Sequence, residues 1–384
     1  MVRRCPAAAR YPLCVDRPQR ILVVRLSHLG DVVQTLPLFH ALRERFPAAR
    51  IGWAVETRFC GILDGLPGLD TLIRFDRSGG VRAFAAGLRA VRAFAPDLAI
   101  DAQANWKSAA VLRASAARRR VGPAPADWRE RFAHLLANEH AAELAQREHH
   151  AQERVLALAR HVCGEFVVRR DPALSPAESA HGRALFDAAL LAARAPHGRR
   201  AALFQVSPAG DVRTPPDELL VASALELARA GHPLVLTSAP REAERTRALA
   251  ARIARGSSGA AAAAGDVHVA TRCEPESLRD FAAWLTAAAQ DGAVFVSADS
   301  GPLHLAGAVG LPCVCLSGPF DWRLTGPWPV ANATASPHRA LVAAPPLDCA
   351  PCARRWCTRN GGRVCLEALD ANDVARAAQA AART

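Results

Sequence analysis

Short apolar runs alternate with amphipathic stretches along most of the chain. Ile21–Leu26 (ILVVRL) is β-rich and apolar, which predicts a buried strand. Ser27–Asp31 (SHLGD) reads as a turn that opens a helix. Val32–Phe46 carries apolar residues at helical spacing until Pro47 ends it. Ile51–Val55, Leu72–Phe75 and Leu98–Ile100 read as further strands, with a helix over Val81–Phe94 between the last two. Strands that alternate with helices predict a parallel sheet covered on both faces.

Asp171–Arg200 has prolines near its ends around an alanine-rich helix and reads as a junction. The pattern then restarts. Strands are predicted at Ala201–Val206, Pro233–Thr237, Ala293–Ser297 and Cys313–Leu316. Helices are predicted at Asp217–Ala230 (before Gly231), Arg241–Arg255, Ser277–Ala289 and Leu303–Val309. Gly256–Gly265 is a low-complexity loop of Gly, Ser and Ala. The expectation is α/β architecture in two Rossmann-like domains, residues 1–185 and 186–384, with a cleft between them as the site.

Composition narrows the partners. Hydrophobic residues make up 51% and charged residues 22%, an ordinary globular balance. The 48 basic and 36 acidic residues leave +12, which favours anionic partners. Aromatics are only 5%, the charge is spread out, and no nucleic-acid reading motif is present, so nucleic acid is not expected as a partner. The short run Arg118–Arg120 reads as a solvated face. Lys107 is the single lysine. No run of about 18 apolar residues suggests a spanning helix. Met1–Arg20 lacks the apolar core of a signal peptide. A cytoplasmic protein is expected.

Polar residues gather just past predicted strand ends, where open parallel sheets bind ligands. In Ser27-His28-Leu29-Gly30-Asp31, Gly30 allows close backbone approach and Asp31 is a candidate general base. Ser27 or Asp31 would equally serve as a helix cap. Asp101–Ala109 follows another strand. Its Lys107 suits a phosphate or carboxylate, or else is a solvated lysine near a helix start. Asp299-Ser300-Gly301-Pro302-Leu303-His304 opens a helix and makes a natural diphosphate seat; His304 either donates to a phosphate or to the facing domain, or is a satisfied core histidine. Ser207 and Arg213 in one loop, and Ser238 and Glu242 in another, would line the same sheet edge.

Eleven cysteines are too few for a disulfide scaffold. Cys5, Cys14, Cys60, Cys163, Cys273, Cys313 and Cys315 are scattered and read as buried or idle thiols. Cys349, Cys352, Cys357 and Cys365 are clustered and could hold zinc or iron, although only the first pair has knuckle spacing. A packed or redox-labile loop, with thiolates favoured by nearby arginines, is the alternative.

Together, RLSHLGDVVQTLP, IDAQANWKSAA and VSADSGPLHLAGAVGLPCVCLSGP resemble the heptosyltransferases of bacterial lipopolysaccharide synthesis, glycosyltransferase family 9. HHAQERVLALA (149–159) and CAPCARRWC add to the resemblance, which covers about residues 20–370. It implies a GT-B fold, with an acceptor-binding first domain and a nucleotide-sugar-binding second domain. It also implies a metal-independent, inverting transfer from ADP-heptose to inner-core lipopolysaccharide, with peripheral contact at the inner membrane. By motif match, Asp31 takes the place of the base. Ser27, His28, Gly30, Gln103 and Lys107 fall on the acceptor side. Ser207, Ser238, Glu242, Asp299, Ser300, Gly301, Pro302, Leu303 and His304 fall on the donor side.

Two departures stand out. Where the family commonly has a lysine before a Trp-Pro pair, the chain reads Val212-Arg213-Thr214-Pro215-Pro216, which leaves Arg213 to neutralise the leaving diphosphate. The usual Asp-Thr-Gly is Asp299-Ser300-Gly301, which keeps the hydroxyl. Another nucleotide-sugar, a protein acceptor, and a non-catalytic binding protein in the same shell are the rival readings.

Overall fold

The fold comes from a computed structural model that describes residues 17–142, 149–195, 198–256, 267–273, 277–359 and 362–381. The front lobe runs β1 (Arg20–Val24), α1 (Leu29–Arg45), β2 (Arg50–Glu56), β3 (Thr71–Phe75), α2 (Gly80–Phe94), β4 (Leu98–Asp101), α3 (Trp106–Ala114), β5 (Arg119–Gly122), β6 (Glu139–His140) and α4 (Ala151–Cys163). After α5 (Pro176–Ala192), the rear lobe runs β7 (Ala202–Gln205), α6 (Asp217–Arg229), β8 (Leu234–Thr237), α7 (Ala243–Gly256), β9 (Val269–Arg272), α8 (Leu278–Gln290), β10 (Val294–Ala298), α9 (Gly301–Ala308), β11 (Cys313–Leu316), α10 (Trp322–Thr325), β12 (Arg339–Leu341), α11 (Val364–Glu367) and α12 (Ala371–Ala381).

Each lobe has a six-stranded, all-parallel sheet. The orders are β3-β2-β1-β4-β5-β6 and β12-β11-β10-β7-β8-β9. Counted from each lobe's own first strand, both orders are 3-2-1-4-5-6, the doubly wound arrangement. The strand order reverses between β1 and β4 in front and between β7 and β10 behind. Ligands of such sheets sit in the crevice at the carboxyl ends of those strands. Asp31 follows β1, Asp101 ends β4, Arg213 follows β7 and Asp299 follows β10.

The predicted strands and helices are present, with ends moved by a few residues. Arg241–Arg255 is divided into a 3₁₀ turn, Pro240–Glu242, and α7. Residues 257–265 of the expected low-complexity loop, and Cys5 and Cys14, lie outside the described residues. The predicted junction holds α5, which starts on a capping box: Ser175 accepts from the Glu178 amide, and Pro176 follows at the first helical position. It packs on α8 of the rear lobe. A Cβ on Gly182 would lie 2.3 Å from the Ala283 carbonyl carbon, so only glycine permits this crossing.

The core is continuous across the lobes. One cluster runs from Ile21, Val23 and Ile51 of the front sheet through α1 to Leu303, Ala306, Phe295 and Leu203 behind. The helix α1 is the pivot. It is buried from Val32 to Leu42, between its own sheet, α4 and α9. A helix covered on every side has no polar face to show. Arg279 of α8, 5% exposed, pins the same region. Its guanidinium donates to the backbone of Ile62, Pro172 and Ala173 and pairs with Glu178.

Candidate active site

The front rim is built on β1 and β4. Gln103 accepts from the amides of Leu26 and Ser27 (2.7 and 3.2 Å), which fixes the loop leaving β1. Asp31 stands at the third position of α1. Its carboxylate accepts from the His28 amide at 3.0 Å and pairs with Arg25 at 2.6 Å. His28 Nδ1 lies 3.7 Å away. The capping geometry allowed by the sequence is therefore present, and the Asp31 side chain remains about one-third exposed. Burial works to raise its pKa. The Arg25 guanidinium and the His28 hydrogen bonds outweigh burial and hold the carboxyl well below the usual carboxylate range.

Arg25 also donates to the Ala102 carbonyl, beside Asp101. Asp101 is fully buried. One of its oxygens accepts from the Gln103 and Ala104 amides (2.8 and 2.9 Å), and the other has no hydrogen-bond partner in range among the described residues. Burial pushes this carboxyl up to about 6, against those amides, the nearby Ser108 hydroxyl and Arg25. Asn105 caps α3 by accepting from the amides of Lys107 and Ser108 (3.0 and 3.1 Å). Lys107 is exposed, 5.7 Å from the Trp106 ring centre. Arg154 of α4 is lowered first by burial, then by Arg25, and is supported by Asp127 and Asp31, so it shares this electrostatic neighbourhood.

The rear rim is built on β7, β8 and β10. Asp299 pairs with His304 (3.2 Å), accepts from the Thr325 hydroxyl (2.9 Å), and takes Arg213 on its carbonyl (3.4 Å). Arg213 is itself held by Asp211 at 2.8 Å. Ser300 precedes α9, and its hydroxyl lies 3.0 Å from that of Ser297. Pro302 is in the first turn and Leu303 is buried. Glu242 reaches the Ala209 amide at 3.4 Å. The Ser207 and Ser238 hydroxyls are buried without hydrogen-bond partners among the described residues. A cavity of about 260 Å³ beside them is lined by Ala209, Gly210, Asp217, Glu218, Arg245 and Arg363.

The two rims touch through glycines. A Cβ on Gly30 would lie 2.3 Å from His304 Cδ2, and one on Gly301 would lie 2.9 Å from Leu29 Cβ. The helices that follow β1 and β10 thus start against one another. His304 Nδ1 lies 3.3 Å from Gln34 of the front lobe. The contact continues through Gln152, which donates to the Gln34 carbonyl (2.7 Å). Buried His150, in turn, donates to the Gly326 carbonyl (2.9 Å). Ser27, His28, Gly30, Asp31, Gln103 and Lys107 therefore share the front rim, and Ser207, Arg213, Ser238, Glu242 and Asp299–His304 share the rear one.

Arg25, Gln34, Asp101, His150 and Arg154 lie inside the quoted stretches, yet their sequence alone assigns none of them a role. Asp101 carries a signal as the first polar residue past a strand, and Arg25 as the polar residue that interrupts an apolar strand end.

The four clustered cysteines lie in one short segment without forming a metal site among the described residues. Cys365 is buried on α11, Cys352 is exposed, and Cys357 Sγ lies 3.6 Å from the Arg359 carbonyl. Among the described residues no three His, Cys, Asp or Glu side chains are grouped as a metal site. Burial raises the Cys365 pKa, and the neighbouring Cys352 and Cys357 add to the rise. Cys349, Cys352, Cys357 and Cys365 are therefore neighbours that are not assembled into a zinc or iron site in this structure.

Residues 82–358 match the family described as glycosyltransferase family 9 (heptosyltransferase). Lipopolysaccharide heptosyltransferase 1 of Salmonella typhimurium is 32% identical over 153 residues, 37% of this chain and 45% of that protein. The aligned stretches span less than half the length of the curated relatives the chain matches. In fold, the chain is similar to the glycosyl transferase family 9 protein of Veillonella parvula (TM-score 0.72, 18% identity, 95% of this chain and 97% of that one). It is also similar to the E. coli heptosyltransferase WaaC with ADP (TM-score 0.63, 24% identity, 93% and 98%). The chain belongs to glycosyltransferase family 9.

Proposed function

We propose that the protein transfers a heptose from ADP-heptose to an inner-core lipopolysaccharide acceptor, with inversion at the anomeric carbon. The observation that carries this reading is the meeting of the two rims. Asp31 follows a glycine packed on His304, so a carboxylate on the acceptor side lies beside the helix start on the donor side. The family, and the names of the relatives with their heptose and ADP chemistry, support the choice of substrates.

In this mechanism the acceptor hydroxyl attacks the anomeric carbon as the bond to the diphosphate breaks. Asp31 takes the hydroxyl proton. Arg25 keeps Asp31 ionised in advance, which makes it a weak base. The proton therefore moves late, once the new C–O bond has made the hydroxyl acidic. The leaving diphosphate is received by the amides opening α9 and by Arg213, which must turn partly from Asp211. The free hydroxyls of Ser207 and Ser238, with Glu242, are assigned to the nucleoside. Lys107 is assigned to an anionic group of the acceptor. No metal takes part in these steps. Among the described residues no helix is long and apolar enough to cross a membrane, and peripheral contact with the inner membrane's cytoplasmic face is part of this proposal.

The test is ADP release from ADP-heptose with a panel of truncated lipopolysaccharide acceptors. Asp31→Asn is expected to lower the rate by roughly 10²-fold or more. Equal rates for the variant would reject Asp31 as the base. No turnover by the wild type with any acceptor would reject the substrate assignment.

A further inference from the structure

Beyond the rims, one part of the front lobe exposes large apolar side chains among cations. The segment after β5 is anchored inward by Trp128, 4% exposed, whose indole donates to the Pro123 carbonyl (3.1 Å), and by buried Ala133 and Ala137. With those residues inside, the segment turns Arg129, Arg131, Phe132 and Leu135 outward. Phe132 is 65% exposed and Leu135 is 71% exposed. Trp106, at the start of α3, is 48% exposed, and Lys107 lies next to it.

The two pieces form one surface. Arg129 donates its amide to the Ala104 carbonyl (3.0 Å), and Glu130 accepts the Trp106 amide (2.8 Å). Glu130 is the only carboxylate between residues 128 and 138; it holds the Trp106 amide and lies 3.7 Å from Arg129, which leaves the patch with a net positive charge. The joined pieces therefore expose one indole, one phenyl and one leucine side chain, with Lys107, Arg129 and Arg131 exposed on the same two pieces.

Solitary exposed apolar residues need no explanation. Three together, interleaved with cations, match the chemistry of a lipid–water interface. There, aromatic rings sit at headgroup depth and cations meet anionic phosphates. A second copy is the poorer occupant, because a two-fold contact through this patch sets the same cations face to face.

The location also fits. The patch lies at the carboxyl edge of β4 and β5, the same edge as Asp31. With strands about 4.8 Å apart, β5 is about 10 Å from β1.

We propose that Trp106, Phe132 and Leu135, with Lys107, Arg129 and Arg131, form the surface by which the front lobe docks on an anionic lipid interface. There it would meet an acceptor whose lipid end stays in the membrane. This statement deepens the peripheral membrane contact in the function proposed above by naming its surface, and its acceptor half rests also on the heptose assignment.

The test is co-sedimentation of the full chain with vesicles of phosphatidylcholine alone or mixed equally with phosphatidylglycerol. Binding to the mixed vesicles is expected, falling as salt rises. The double variant Arg129→Ser/Arg131→Ser should weaken it roughly 30-fold, at about 1 kcal/mol per charge. Phe132→Ser/Leu135→Ser should weaken it roughly 10-fold, with melting temperature and turnover on a soluble truncated acceptor unchanged.

Absence of wild-type binding to anionic vesicles, or binding indifferent to both double variants, overturns the docking surface. So does self-association that these variants abolish without any vesicle binding. A matching fall in soluble-acceptor turnover would make the patch part of the active site and overturn it as a separate surface. Vesicle binding is read without any sugar chemistry, so it survives a failure of the heptose assignment and is not rescued by its success.

Discussion

The junction of α1 with α9 and the segment from Cys349 to Cys365 make an instructive pair. At the junction, Gly30 and His304 are far apart in sequence, yet no atom can be added between them. In the cysteine segment four thiols lie within residues 349–365, yet among the described residues no three of them are grouped as a metal site. What brings groups together at the junction is the burial of two helix starts against each other in a shared core. The cysteine segment contributes little to that core. It is held by the Ala353 amide on the Pro319 carbonyl (2.7 Å) and by Arg363 on the Thr214 carbonyl (3.0 Å). Closeness along the chain thus did not assemble a side-chain cluster here, whereas the strand ends at the reversal of sheet order brought the two rims together.

The strongest way to break this contrast is Gly30→Val. Its side chain collides with the ring of His304, which Asp299 and Gln34 hold in place. We expect a stability loss of about 3 kcal/mol from overpacking. ADP release should fall roughly 10²-fold or more as the rims separate. A variant with wild-type melting and turnover would show that the junction tolerates separation.

A second effect sharpens the comparison through pH. His150 bridges the lobes and His338 lies inside the rear lobe. Each accepts a backbone amide on Nδ1 and donates from Nε2 to a carbonyl. A second proton would break the first bond and place a charge in the interior. Burial pushes both pKa values down to about 4 from 6.5. The unfolded chain therefore binds more protons than the folded one between pH 6.5 and 4. Stability is fully present above 6.5 and is lost as pH falls towards 4, by about 3 kcal/mol for each histidine. Asp101, raised to about 6, acts in the opposite direction: its neutral form suits the fold, and its penalty disappears on acidification. Two histidines outweigh one carboxyl, so the melting temperature should drop from pH 6.5 to 4. His150→Gln should flatten that slope. An unchanged slope in the variant would mean that the bridge opens without cost.

The smallest effect belongs to the cysteine segment. Cys352→Ser/Cys357→Ser should leave melting and turnover within about 0.5 kcal/mol of wild type. Stoichiometric iron or zinc in protein purified without a metal-affinity tag, lost in this variant, would reverse the contrast.

Much of the fold was legible because it follows from local pattern. Ile21–Leu26 and Cys313–Leu316 are apolar runs between turn signals, and they lie on β1 and β11. The short strands β5, β6, β9 and β12 were not legible. Arg119–Gly122 and Glu139–His140 carry charged residues at or beside the sheet edge, and the backbone pairing of such strands is set by neighbours distant in sequence. The helix α4 begins within HHAQERVLALA, a stretch that the family resemblance marks without assigning it a fold.

In the candidate site, the placement of Asp31 and the Asp299–His304 loop past β1 and β10 was legible because polar residues past apolar runs mark strand ends. The settings of those residues were not. Asp31 is held ionised by Arg25, six residues away, whereas Asp101 is raised by burial under the front lobe.

From the sequence alone come the alternation of strand and helix, the two-lobe plan and the chemical character of each loop, since these depend on residues a few positions apart. The tertiary structure alone decided which loops face each other, which carboxyl is charged, which thiols are buried and which apolar side chains remain uncovered. Those outcomes depend on desolvation and contact between residues as distant as Gly30 and His304, and no local pattern encodes such distances.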